Sequence, residues 1–327
     1  MNDQIKNCTF AQTKMKKKID FAIGGQAVIE GVMMRSPNSI VISVRKQNGT
    51  IKTQERMYRT LTQRIRALNI PLVRGVINLF EMMVVGTKAI NFSANEFVDE
   101  TPKEESSKPE KKKSTTVKIV EALTFALSLV MALALSIFLF KFLPLYITTA
   151  LETYSQTIQD NWILFNVIDG ILKTTFFIAY IFILSLFPSF RRIFEYHGAE
   201  HKAVFTYEQS LPLTVENARK QTRFHPRCGT SFVLIVFVIS ILVYTFVPKQ
   251  PEFTTNLLIR LAFLPLIAGI AYEYLKISAR YTHKKWTSLF VAPGLWLQRL
   301  TTKEPTDDQI EVALNSLKIA LEKEKTI

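Results

Sequence analysis

The sequence predicts an α-helical polytopic membrane protein with four transmembrane helices and a small N-terminal α+β cytoplasmic region containing a β-hairpin. Three observations predict it. Of 327 residues, 48% are hydrophobic while the formal net charge is +14, a pairing that is unusual for a soluble basic protein. Four apolar runs reach or approach the ~20 residues that a helix needs to cross a hydrocarbon core. Lysine and arginine also alternate from loop to loop as a positive-inside orientation requires.

Residues 1–20 carry Lys16, Lys17 and Lys18 but no apolar core, so a basic tail is expected there and not a signal peptide. Residues 21–98 form the expected cytoplasmic region. Within it, "SIVISVRKQNGTIKTQERMY" alternates apolar and polar residues about Asn48-Gly49, a hairpin signal because both residues tolerate positive φ. The preceding "FAIGGQAVIEGVMMRSP" reads as a short apolar strand punctuated by Gly24, Gly25 and Gly31. From about residue 60 the period becomes helical, with Arg74, Glu81 and Lys88 on one face. This stretch, residues 67–92 included, reads as a helix lying on the membrane surface or on the small domain, with a fifth span as the alternative. Residues 99–118, "DETPKEESSKPEKKKSTTVK", lack the apolar content to fold and read as a charged, disordered linker.

The membrane domain is expected over 119–285, with spans at Ile119–Phe140, Ile171–Phe190, Thr230–Val247 and Leu257–Leu275. The 191–229 loop holds seven Lys and Arg (Arg191, Arg192, Lys202, Arg219, Lys220, Arg223 and Arg227), whereas 141–162 has only Lys141 and the loop after the third run only Lys249. Both termini are therefore expected in the cytoplasm of a multi-pass cell-membrane protein, in contact with membrane lipids. Cys8 and Cys228 both fall on that reducing side, which argues against a disulfide. Residues 286–327 begin with "WTSLFVAPGLWLQRL", an interfacial or re-entrant pattern with a Pro-Gly break. They end with a helix whose capping box is Thr306 with Gln309 and whose apolar stripe is expected to dock on the cytoplasmic region.

The chemistry concentrates in "EYHGAEHKAV". His197-Gly-Ala-Glu200-His201 is an H-x-x-E-H pattern, and on a helix all three functional side chains share a face. Two imidazoles one turn apart suit a divalent metal such as zinc, and the adjacent carboxylate suits a general base acting on water. The topology brings "RFHPRCGTSF", with His225 and Cys228, to the same membrane face, together with Glu273 at the cytoplasmic end of the fourth run. The metal set expected is thus His197, His201, His225, Cys228 and Glu273, with Glu200 catalytic. Each also has a plainer reading. The imidazoles could bond lipid phosphate or backbone, Cys228 could be a small buried residue, and Glu273 could pair with Arg191, Arg192 or Lys276.

The blocks "GGQAVIEGVMMRSP", "EYHGAEHKAV", "RFHPRCGTSF" and "PTDDQIEVALNSLK" resemble the signatures of the YqhQ-like family, bacterial membrane proteins of unknown function described as metal-dependent enzymes. The resemblance implies importance for His197, Glu200, His201, His225 and Cys228, and for Gly24, Gly25, Glu30 and Arg35 in the N-terminal block. Two functions compete. One is a metal-dependent hydrolase of a membrane-proximal substrate. The other is a non-enzymatic membrane-biogenesis or assembly factor that binds a protein partner, ribosome or anionic lipid through its basic region.

Overall fold

A computed structural model describes residues 23–98, 115–280 and 287–326. The basic tail, Cys8, His283 and most of the charged linker lie outside them. The chain divides into two compact units, one built from residues 1–100, 180–236 and 265–327, the other from 101–179 and 237–264.

The first unit contains a four-stranded antiparallel sheet in sequence order, β1 (Gly24–Val28), β2 (Gly31–Arg35), β3 (Ser39–Arg45) and β4 (Ile51–Met57). The hairpin expected at Asn48-Gly49 joins β3 to β4, with Gly49 at φ 84°. The single strand expected before it is two strands. They are joined by a tight turn at Ile29-Glu30, where Glu30 adopts φ 50°, and Gly31 has no room for a Cβ, which would stand 3.0 Å from Val44.

Both faces of the central strands β2 and β3 are covered. Val32, Met34 and Val41 on one face pack with Tyr196, Ala199 and Ala203 of one helix and Ile310, Ala313, Leu314 and Leu317 of another. Met33, Ile40, Ile42 and Val44 on the other face pack with Ala89, Val85 and Phe92. Burial on both faces is why β2 and β3 read as near-continuous apolar runs. The covering helices are α1 (Val73–Val98), α5 (Pro188–Glu208) and, after α9 (Thr287–Thr301), α10 (Asp307–Lys325). The capping box at Thr306 and Gln309 is formed as expected, and α10 docks by its stripe against β2, β3 and α5.

Among the described residues, three helices are long and apolar enough to cross a membrane: 126–153, 162–186 and 253–278. The first run does not stop at Phe140. Its helix α2 (Thr115–Ile137) passes through a π turn at Phe138–Phe142 into α3 (Leu143–Thr153), so much of the expected 141–162 loop is helical. The second helix, α4 (Trp162–Leu186), starts earlier than expected and ends before Pro188. Phe187 is extended (ψ 130°), as the residue before proline prefers. The last span joins α7 (Phe253–Ala262) to α8 (Leu264–Arg280). The expected third span, α6 (Gly229–Thr245), has 17 residues, about 26 Å of helix, short of a core about 30 Å thick. The Pro-Gly break expected near residue 293 is absent, and α9 carries Pro293 inside.

The second unit holds a buried polar cluster. Asp169 and Lys173, one turn apart on α4, and Arg260 on α7 are at most 4% exposed, and Asp169 pairs with both cations. Arg260 also donates to Asn166 Oδ1 at 2.6 Å, and Tyr244 OH donates to the Arg260 carbonyl at 2.9 Å. Lys141, inside the π turn, sits 5.7 Å from the Tyr244 ring centroid. One carboxylate thus anchors charges that an apolar environment tolerates only in pairs.

Candidate metal centre

Helix α5 carries His197, Glu200 and His201 on the face predicted by their spacing, with the two imidazole centroids 4.4 Å apart. Gly198, between them, lies against the Lys303 carbonyl and Pro305, which allows the 301–305 segment to run close along the helix. That segment places the Thr301 carbonyl 2.8 Å from His197 Nδ1. Across the site, the Arg223 carbonyl lies 2.6 Å from His201 Nδ1. A carbonyl only accepts, so both Nδ1 atoms must carry the proton and donate it. Both Nε2 atoms therefore keep their lone pairs.

Cys228 stands beside both imidazoles. It follows the turn His225-Pro-Arg and precedes α6, with its Sγ 3.2 Å from His197 Nε2 and 3.1 Å from the Thr230 hydroxyl. One ligand atom from each of His197, His201 and Cys228 falls within 4.8 Å of the others. His201 Nε2 is buried and has no hydrogen-bond partner among the described residues. An orphaned lone pair costs free energy unless something occupies it.

Electrostatics prepare the same three groups. Burial holds both imidazoles below their ordinary pKa, keeping them neutral. Burial raises the Cys228 thiol, and the Thr230 hydroxyl beside its Sγ opposes that rise. Two neutral imidazoles oriented by backbone carbonyls, facing a cysteine thiol, fit a zinc-type N/S ligand set.

Glu200 lies beside them, its Oε2 3.5 Å from His201 Nε2. Burial raises its carboxyl above the usual carboxylate range, partly countered by His197, His225 and a hydrogen bond from the Gly25 backbone. That hydrogen bond depends on Gly25 having no side chain: a Cβ there would stand 2.5 Å from the Met33 carbonyl and 2.8 Å from Glu200 Cγ. A glycine of the N-terminal block thus lets β1 close over the carboxyl.

Two expected members sit elsewhere. His225 is adjacent, its ring centroid 5.6 Å from His201, but both its nitrogens are engaged. Nε2 lies 3.3 Å from Glu208 Oε2 and Nδ1 accepts from the Arg227 N–H at 3.2 Å. Glu273 is gripped by Arg74, whose Nε donates to Oε1 at 2.6 Å. Of its expected partners, Arg191 and Arg192 turn to Glu195 and Glu30, while Lys276 adds to the positive field at Glu273. Sequence reasoning missed Glu208, although it sits seven residues after His201 on the same helical face. It also missed the Thr301 and Arg223 carbonyls, which leave no side-chain signal at all.

Comparison with known proteins agrees with the family read from the sequence blocks. The family model described as "Protein of unknown function (DUF1385)" matches residues 70–323. The chain is 35% identical over 301 residues to "Uncharacterized protein YqhQ" of Bacillus subtilis (strain 168), covering 92% of each. No solved structure matches.

Proposed function

The chain belongs to the DUF1385 family of proteins of unknown function, and we propose that it is an integral membrane metal-dependent hydrolase acting on a membrane-proximal substrate. The observation that carries this reading is the pair of Nδ1-anchored histidines whose Nε2 atoms face Cys228. His197, His201 and Cys228 would hold the metal, and three protein ligands leave a fourth position for water or substrate. Bound zinc would supply Lewis-acid polarisation and a water activated near neutral pH.

The protein's own groups do the rest. The Thr301 and Arg223 carbonyls fix the imidazole tautomers. Glu200, a buried carboxyl raised above the ordinary carboxylate range, takes a proton from water on the ligand side of the helix and returns it to the leaving group. Four spans with both termini cytoplasmic remain the proposed topology, on the Lys and Arg distribution. It puts this centre on the cytoplasmic face, with α6 crossing as a short, bilayer-thinning span.

Metal analysis of the purified protein tests the reading. About one zinc per chain is expected from the three-ligand set, retained in Glu200→Gln and lost in His197→Ala/His201→Ala. Absence of stoichiometric metal from the wild-type protein, after purification without chelators, would refute it.

A further inference from the structure

A cavity of about 770 Å³ opens beside the three ligands, with Glu200, His225 and Arg227 also on its wall. The rest of its lining is mostly apolar, including Met33, Met82, Ile193 and Phe194. Ile181 also lines it, and Ile181 lies inside the candidate span 162–186, five residues or about 8 Å of helix from its end. One wall of the cavity therefore belongs to a helix surface that hydrocarbon can reach.

Arg35, the last residue of β2, also lines this cavity. Its guanidinium touches the Met82 sulfur and stacks 5.6 Å from the Tyr58 ring centroid. No carboxylate pairs with it among the described residues. The contrast with its neighbours is sharp, because Arg227 is paired with Glu208, Arg192 with Glu30 and Arg74 with Glu273. A guanidinium on an apolar wall without an acid lacks the anion that it would normally bind, and its fork matches phosphate.

We propose that the cavity binds an anionic membrane phospholipid, with its phosphate on Arg35 and its acyl chain along Met82, Ile181 and Phe194. This deepens the hydrolase reading by naming the substrate class, and as a substrate assignment it rests on that reading. Charge chooses the headgroup. An anionic lipid brings the countercharge that Arg35 lacks, whereas a zwitterionic lipid brings a cation of its own into the same cavity. The apolar wall at membrane depth separates a lipid from a soluble phosphate ester.

The test is lipid retention. The detergent-stripped protein is reconstituted with dioleoyl phosphatidylglycerol or dioleoyl phosphatidylcholine, and tightly held lipid is counted by mass spectrometry, with zinc measured on the same samples. Phosphatidylglycerol should be retained in preference to phosphatidylcholine. Arg35→Gln should weaken its retention by about tenfold or more, Arg35→Lys should recover part of it, and Met82→Trp should lower it by filling the apolar wall. Glycerol 3-phosphate should compete only weakly. Equal retention of the two lipids, unchanged retention in Arg35→Gln, or displacement by glycerol 3-phosphate at the lipid's own concentration overturns the inference. The zinc readout keeps the two claims apart. Zinc without selective lipid sinks this inference alone, and selective lipid without zinc sinks the hydrolase reading alone.

Discussion

Gly198→Ala is the perturbation that most sharply separates local propensity from tertiary packing. Gly198 sits within α5, where alanine is favoured over glycine by about 1 kcal/mol. Propensity alone therefore predicts stabilisation. In the fold, an alanine Cβ would overlap the Lys303 carbonyl oxygen and stand 3.3 Å from Pro305 Cδ. Restoring an ordinary contact requires a shift on the order of 1 Å of the 301–305 backbone. Beside the Lys202–Glu304 ion pair, that segment makes two hydrogen bonds to α5 through its backbone, from the Lys303 N–H to the Phe194 carbonyl at 2.8 Å and from His197 Nδ1–H to the Thr301 carbonyl at 2.8 Å. Overpacking costs about 1–3 kcal/mol and each lost bond about 1 kcal/mol. Against the propensity gain, a net loss of about 2–4 kcal/mol is expected. Zinc affinity should fall about 10–100-fold, because the His197 ring loses its orienting partner. Thermal unfolding in detergent and competitive zinc titration measure both. A variant at least as stable as wild type with unchanged zinc affinity would refute the close-packing argument.

Three further outcomes follow from the same geometry. Asp169→Asn removes the one carboxylate that compensates Lys173 and Arg260; thermal unfolding should show a loss of about 3–5 kcal/mol, and a change below about 1 kcal/mol would mean that the cluster is not electrostatically coupled. The metal-free protein should lose stability as pH falls from about 6.5 towards 5. His197, His201 and His225 are held below their ordinary value by burial, so the unfolded chain takes up protons that the folded one refuses, and stability drops as pH falls through the unfolded pKa. A flat unfolding midpoint over that range would show that the imidazoles are not buried as neutral groups. Finally, Glu273→Gln should leave zinc content unchanged while His201→Ala abolishes it; zinc lost on Glu273→Gln would return that carboxylate to the ligand set.

The sequence by itself determined what period and composition encode. The spacing of His197, Glu200 and His201 put them on one helical face, Asn48-Gly49 fixed the β3–β4 hairpin, the cap at Thr306 started α10, and long apolar runs marked the helices long and apolar enough to span a membrane. These are local features, set by neighbours within a few residues. Tertiary structure decided what depends on partners far along the chain. It took Glu273 away from the histidines because Arg74, 199 residues distant, offers a bidentate guanidinium. It turned His225 towards Glu208. It carried the first apolar helix through a π turn to Thr153, and it left the third at 17 residues. The orientation of the candidate ligands was the least legible feature of all. Two backbone carbonyls fix it, and a carbonyl is common to every residue, so no sequence pattern could announce that Thr301 and Arg223 would bring theirs to the Nδ1 atoms.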